Sequence, residues 1–131
     1  RIMPIIVYNR GKEDHSTHPY NFPIYRGGSV LGNPYTDKPL TKTMAVYQVK
    51  NREEALQRYS SYFDMQYGRN KEFTEIIDCI YELYKMGETI YLECYCHPLP
   101  CHGDIIVEKL QKRLLKEKIK EAKERKKNEM G

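Results

Sequence analysis

The sequence predicts a small three-layer α/β fold with a mainly parallel sheet and a long C-terminal helix. Two segments rich in β-branched and aromatic residues, at 2–9 and 89–96, indicate strands. Two segments with apolar residues at helical spacing separate them, and a third follows the second strand. Because helical crossovers bring successive strands back side by side in the same direction, this order favours a parallel sheet.

The first predicted strand, IMPIIVYN at 2–9, is apolar and β-branched, and we expect it to be central in the sheet. From 10 to 43 the chain is rich in proline and glycine, a composition that excludes long helices. This part is predicted to be a structured loop with one short strand at 22–26.

The two middle helices have clear boundaries in the sequence. The first begins after Asn51, a good capping residue, and ends at Gly68. The second, KEFTEIIDCIYELYKMG, ends at Gly87, in the position expected of a C-cap. The apolar face of each helix should pack on the sheet, and we expect Cys79 to be buried there. The strand TIYLECYC at 89–96 follows directly.

The last helix is predicted to begin at Asp104 and to become increasingly charged. Residues 109–127 contain ten Lys and Arg against three Glu, a net charge of +7, in a chain whose net charge is +4. The remainder therefore carries −3. We divide the chain into a single α/β domain at 1–120 and a basic helical tail at 121–131, which is simply solvated or attracts nucleic acid.

The composition excludes several classes of protein. With 131 residues, 40% of them hydrophobic and 31% charged, the chain is long enough to bury one core. It has no apolar run of the roughly 20 residues needed to cross a bilayer. Its first residues lack the features of a secretion signal, so we expect a cytoplasmic protein whose four cysteines are reduced.

The segment ECYCHPLPCHGD at 93–104 is the first candidate site. It connects the second strand to the last helix, which is where open parallel sheets bind ligands. Its prolines stiffen the turn, Gly103 should allow close approach of a ligand, and Asp104 can cap the helix. The amides of the first helical turn would favour an anion such as a phosphate or carboxylate.

The loop RGGSVLGNPY at 26–35 is the second candidate site. Its glycines allow backbone amides to face a ligand, and its arginine can hold an anion, although a purely structural turn is an alternative. Both segments are predicted to close over one site. The predicted ligand-binding residues are Arg26, Gly27, Gly28, Ser29, Gly32, Asn33, Cys96 and Gly103.

The cysteines and histidines of the first segment allow three kinds of chemistry. Structural zinc sites usually have about two to four residues between paired ligands, whereas C-x-C has a single one, so we expect no metal. We also expect no cofactor. A thiol nucleophile would be Cys101 or Cys96, although buried cysteines that only pack are common. His102 and Asp104 would act as acid and base or contact the ligand; alternatively, Asp104 only caps the helix and His102 holds the turn.

Together the two segments resemble the DUF4326 family (domain of unknown function), found in bacteria and their phages. CYCHPLPCHGD is similar to a segment of C-W-C-x-P-x-x-C-H-G-D type, and SVLGNPY to a preceding loop of G-R-x-S-x-L-G-N-P type. The resemblance extends from about Tyr8 to Leu110. Tyr95 stands where the family usually has Trp, and Arg26-Gly27 reverses the usual Gly-Arg. The resemblance implies a Rossmann-like nucleotide-binding fold and, for a phage protein, location in the host cytoplasm.

Three functions are compatible with these observations. The first is a nucleotide- or nucleoside-phosphate-binding protein, which as an enzyme would act on a glycosidic or phosphate linkage with His102, Asp104 and Cys101 as catalytic residues. The second is a noncatalytic phage-type accessory protein or inhibitor that sequesters a nucleotide or binds a host protein. The third is a basic nucleic-acid-binding module that uses the C-terminal helix.

Overall fold

The computed structural model describes residues 5–130 and shows a mixed α/β fold, as the sequence predicts. Residues 2–4 of the predicted first strand lie outside this range. Within it, no helix combines the length and apolarity needed to cross a bilayer. The elements are β1 (Ile5–Asn9), β2 (Asn21–Pro23), β3 (Tyr35–Thr36), a 3-10 turn (Leu40–Lys42), β4 (Tyr47–Gln48), α1 (Arg52–Gln66), α2 (Lys71–Lys85), β5 (Ile90–Cys94) and α3 (His102–Met130).

The main sheet has three parallel strands in the order β1-β5-β2. The prediction that the first strand is central is wrong, because β5 lies between the other two. Burial explains the difference: three consecutive residues at the end of β5 are buried, whereas Ile6 of β1 is 36% exposed. β2 is short and ends at Pro23, a residue typical of an edge strand because it cannot donate a ladder hydrogen bond.

A second, smaller sheet pairs β3 with β4 in parallel, and the sequence did not predict it. Each strand has only two residues, too few to show an alternating pattern. The predicted strand at 22–26 is present but shifted, at Asn21–Pro23. The strand predicted at 89–96 ends at Cys94, so Cys96 belongs to the turn that follows.

One face of the main sheet packs against the helices. Alternate residues of β5 point to this face, and apolar side chains of α2 cover them. Cys79 of α2 was expected to be buried in the core. It is exposed, because it lies about 200° around the helix from the buried Ile77. The core of this face includes Ile5, Ile24, Phe73, Ile77, Ile80, Ile90, Leu92, Ile106 and Leu110.

The opposite face of the sheet is covered by the segment that follows β1. The His15 ring stacks on Tyr91 of the central strand, with ring centroids 4.1 Å apart, and His18 contacts the same tyrosine edge-on. Segment 10–20 therefore takes the place of a helical layer on this face, which is why a loop so rich in polar residues is ordered.

This second face also contains a buried carboxylate. Glu93 is 2% exposed and accepts hydrogen bonds from the Tyr8 hydroxyl at 3.1 Å and from Asn21 Nδ2 at 2.9 Å. Arg10 Nη1 lies 3.7 Å from its other oxygen. Burial and the adjacent Glu93 raise the pKa of Tyr8 to about 12, so the hydroxyl stays protonated and remains a donor.

Only the first half of α3 is packed on the rest of the protein. The Arg113 guanidinium lies 3.8 Å from the centroid of the Tyr81 ring and pairs with Asp78 at 2.9 Å. Glu117, one turn further on, accepts a hydrogen bond from the Tyr81 hydroxyl. Every residue from 118 to 130 is exposed, although the helix continues unbroken past residue 120.

Truncation after Lys120 is expected to change the free energy of unfolding by less than about 0.5 kcal/mol, because the removed residues bury no side chain. Truncation after Lys112 is the contrasting variant. It removes the contacts of Arg113 and Glu117 with Tyr81 and should cost about 1–3 kcal/mol. Urea denaturation followed by circular dichroism measures both. A loss of similar size for the two variants would show that the end of α3 is packed.

Candidate functional site

A cleft of about 360 Å³ lies beyond the carboxyl ends of β5 and β2. Segment 36–44 and the first turns of α1 form part of its wall. The two candidate segments form the rest, together with Tyr25 next to the loop, so the fold brings them to one place. Their lining residues are Arg26, Asn33 and Tyr35 from the loop, and Cys94, Tyr95, Cys96, Cys101 and His102 from the strand-to-helix segment.

The predicted site residues divide into two groups. Those that line the cleft are Arg26, Asn33, Cys96, Cys101 and His102. Those outside the cleft lining are Gly27, Gly28, Ser29, Gly32, Gly103 and Asp104.

The 26–35 loop is closed by its own arginine. Arg26 Nη1 donates hydrogen bonds to the carbonyl oxygens of Asn33 at 2.8 Å and Tyr35 at 3.4 Å. The two ends of the loop approach so closely that a Cβ atom at Gly32 would lie 2.9 Å from Arg26 Cα. The Ser29 hydroxyl donates to the Pro23 carbonyl at 2.5 Å. Gly32 and Ser29 thus close the loop, and within residues 5–130 the Arg26 guanidinium keeps Nε and Nη2 for a ligand.

The turn after β5 is held from two sides. Asn9, the last residue of β1, donates from Nδ2 to the carbonyl oxygens of His97 at 3.0 Å and Tyr95 at 3.3 Å. Arg52 Nη1, at the start of α1, donates to the Pro100 carbonyl at 3.1 Å. The His97–Pro98 peptide bond is cis. These bonds fix the turn against the sheet and against α1.

α3 begins at His102 rather than at Asp104, and Cys101 occupies the capping position. Asp104 Oδ2 accepts a hydrogen bond from the Cys101 amide at 3.1 Å, and Cys101 Sγ accepts one from the Gly103 amide at 3.3 Å. This exchange is the reciprocal pattern of a capping box, with a thiol in place of a hydroxyl. Asp104 therefore caps the helix. The amides of Cys101 and Gly103 already have partners within the chain, which corrects the expectation that they face an anion.

His102 is 6% exposed, and its Nε2 donates to the Ile24 carbonyl at 2.6 Å. Its ring also meets Tyr59 edge-on. Burial lowers the pKa of His102 to about 4, so the imidazole is neutral at pH 7. The histidine thus ties the start of α3 to the end of β2, which is the second of the two roles considered from the sequence.

Two thiols meet at the cleft. Cys101 donates a hydrogen bond to Cys94, with the sulfur atoms 3.8 Å apart. That bond, helped by the backbone amides of His97 and Cys96, lowers the pKa of Cys94 to about 6, whereas the pKa of Cys101 is raised by its contact with Cys94 and by burial. Of the two paired thiols, Cys94 is therefore the one whose surroundings favour the thiolate, whereas the sequence pointed to Cys101 or Cys96 as the nucleophile.

Sequence reasoning also missed other residues of the cleft. Arg52 is remote from both motifs along the chain, and only the packing of α1 brings it to the cleft. Tyr25 and Tyr95, whose ring centroids are 5.0 Å apart, line the cleft from neighbouring strand ends. A usable signal was present, because Tyr25 directly precedes one segment and Tyr95 lies within the other. Among residues 5–130, no group of three or more His, Cys, Asp or Glu is arranged to hold a metal ion.

Comparison with known protein families gives a match over most of the chain. The family model described as "Domain of unknown function (DUF4326)" matches residues 7–112, a range that contains both cleft-forming segments and ends near the last packed turns of α3. No curated protein and no solved structure matches the chain.

Gly103→Val is expected to lower the free energy of unfolding by about 1–3 kcal/mol. A Cβ atom at this position would lie 2.9 Å from both Ile24 Cδ1 and Val7 Cγ1, so a larger side chain separates α3 from the sheet. Gly103 thus allows close approach of α3 to the sheet, whereas the sequence suggested close approach of a ligand. Glu108→Val, on the exposed side of α3, is the matched control and should cost much less. Urea denaturation tests both variants, and equal stabilities would contradict the packing role.

Proposed function

This chain belongs to the DUF4326 family, and from the geometry of its cleft we propose that it binds a nucleoside phosphate in a Rossmann-like manner, beyond the carboxyl ends of parallel strands. The observation that carries the proposal is the lining: two arginines and three tyrosines around about 360 Å³. This volume falls within the range of about 300–1,000 Å³ that is usual for small-molecule sites.

The arginines are suited to the phosphate. Arg26 and Arg52 each use Nη1 to bind backbone carbonyls, which fixes the guanidinium groups and leaves Nε and Nη2 for a ligand. Such forked donors match phosphate oxygens in geometry. Lys38 also lines the cleft, so three cations face two anions, Asp37 and the Cys94 thiolate. The lining is net positive and favours an anionic ligand.

The tyrosines are suited to the base. Tyr95 is 55% exposed at the cleft and meets Tyr25 at an interplanar angle of 72°, which leaves ring faces available for stacking. Aromatic side chains bind nucleobases by stacking without requiring a particular base. An aromatic ring also stands at this position in the family segment that the chain resembles, with Trp in place of Tyr95.

The contacts of the predicted catalytic residues support binding more than acid–base catalysis. His102 is neutral, with its Nε2 proton donated to a carbonyl, and Asp104 is engaged in capping. Action on a glycosidic or phosphate linkage remains the enzymatic form of the proposal, with Cys94 as the nucleophile. The noncatalytic form is a phage-type accessory protein that sequesters its ligand. The four free thiols suit the reducing cytoplasm for either form.

Binding is tested first by mass spectrometry of the small molecules released when the purified protein is heat-denatured. Isothermal titration calorimetry with nucleoside monophosphates and ribose 5-phosphate then separates the two halves of the site. Arg52→Gln should weaken binding of both ligands by about tenfold to a hundredfold, because it removes a charged hydrogen-bond donor. Tyr95→Ala should weaken binding of the nucleoside monophosphates only.

The matched control is Arg58→Gln, because Arg58 lies on α1 outside the cleft and pairs only with Glu54 among the residues that the structure describes. The Arg58→Gln variant should bind every ligand with the same affinity as the unmodified protein. The proposal fails if no nucleoside phosphate binds, or if Arg52→Gln and Arg58→Gln have the same effect. Comparison of turnover with affinity in the same variants distinguishes an enzyme from a sequestering protein.

A second candidate function, nucleic-acid binding through α3, is favoured by the exposure of its whole final segment. Residues 118–130 carry six Lys and Arg and three Glu, and every one of them is exposed. If this segment binds nucleic acid, truncation after Lys120 should weaken binding to a DNA or RNA duplex and flatten its salt dependence. Equal affinity and equal salt slopes for the full chain and the truncated chain would eliminate this function without affecting the first.

A further inference from the structure

The cleft contains a chemical group that binding of a nucleoside phosphate does not require, namely the paired thiols of Cys94 and Cys101. Both residues are 1% exposed, and both line the cleft. Their sulfur atoms are 3.8 Å apart and neither is in a disulfide. A disulfide bond is roughly 2.0 Å long, so the sulfur atoms need to approach by only about 1.8 Å to form one.

We propose that Cys94 and Cys101 are a redox modification site, at which a small peroxide or a small-molecule disulfide that enters the cleft converts the two thiols into a reversible intramolecular disulfide. The inference goes beyond the proposed ligand-binding function and does not depend on it. It rests on the sulfur–sulfur contact, on the position of both residues at the cleft, and on the different surroundings of the two sulfur atoms.

Those surroundings assign the first step to Cys94. Its sulfur accepts the hydrogen bond from the Cys101 thiol, and the backbone amides of Cys96 and His97 also stabilise its anion. Cys101 keeps its proton, and its sulfur accepts a hydrogen bond from the Gly103 amide at the start of α3. Cys94 is therefore the attacking thiolate and Cys101 the resolving thiol, a pairing common among redox-sensitive cysteines.

With hydrogen peroxide the atoms and electrons balance in two steps. The Cys94 thiolate attacks one peroxide oxygen, the O–O bond breaks, hydroxide leaves and takes a proton from solvent, and Cys94 becomes a sulfenic acid, oxidised by two electrons. The Cys101 sulfur then attacks the Cys94 sulfur, the S–O bond breaks, and water leaves with the Cys101 proton. Two thiols and one peroxide thus give one disulfide and two waters. A dithiol reductant reverses the change by thiol–disulfide exchange.

The location of the pair predicts which oxidants react. Both residues line the cleft but are only 1% exposed, so we expect oxidation by a small peroxide that enters the cleft and none by a protein-sized oxidant. The thiolate form is required for attack. The rate of oxidation should therefore fall as the pH is lowered through about 6, where Cys94 becomes protonated.

The test uses the full chain with Cys79→Ser, which removes an exposed thiol that does not line the cleft. The reduced protein is treated with hydrogen peroxide or with oxidised dithiothreitol, and the remaining thiols are blocked with N-ethylmaleimide in denaturant. Disulfides are then reduced and the released thiols labelled with iodoacetamide. Chymotryptic cleavage after Tyr95 separates Cys94 from the other two cysteines, and mass spectrometry locates the labels.

The expected result is iodoacetamide on Cys94 and Cys101, N-ethylmaleimide on Cys96, and full reversal by dithiothreitol. Cys96→Ser is the matched control and should leave the disulfide unchanged, whereas Cys94→Ser and Cys101→Ser should each abolish it. In Cys101→Ser, peroxide should leave Cys94 as a sulfenic acid that dimedone captures. A disulfide that contains Cys96, a disulfide between two chains, or Cys94 and Cys101 still blocked by N-ethylmaleimide after oxidation would overturn the proposal.

Discussion

The carboxyl end of β5 is fixed from both sides, and the rest of the site depends on this constraint. The Ile24 amide donates to the Glu93 carbonyl at 2.9 Å, and the Arg10 amide donates to the Cys94 carbonyl at 2.9 Å. The chain that leaves each edge strand is thus bound to the end of the central strand. Because side chains alternate along a strand, Cys94 must then face the helices and the cleft while Glu93 faces the other way.

The thiol cap of α3 follows from that arrangement. Helices usually begin with Ser, Thr, Asp or Asn, whose oxygen accepts a hydrogen bond from a first-turn amide. Here the Cys101 sulfur takes that role while its own hydrogen is directed at Cys94. A hydroxyl would cap the helix as well, but it would not provide a second sulfur. The same side chain therefore connects helix initiation with thiol chemistry at the cleft.

The sequence predicted local features well and their three-dimensional roles less well. Asn51 and Gly87 marked helix ends because capping depends on neighbouring residues only, and the strand-to-helix position of residues 93–104 placed the cleft. The central strand could not be identified in this way, since strand order is decided by long-range packing. Gly103 appeared to be a ligand contact for the same reason: only the packed structure shows Val7 and Ile24 against it.

The buried Glu93 has a consequence for how the strands align. A one-residue slip of β1 along β5 would bring Val7 opposite Glu93 in place of Tyr8, and would turn Tyr8 toward the helices. The carboxylate would lose its hydroxyl donor but still be removed from water, which is strongly unfavourable. The hydrogen bonds of Glu93 therefore favour one strand register among those that purely apolar strands would tolerate. Because Glu93 lies on the face of the sheet away from the cleft, the tyrosines and thiols at the cleft can be substituted without changing the strand register.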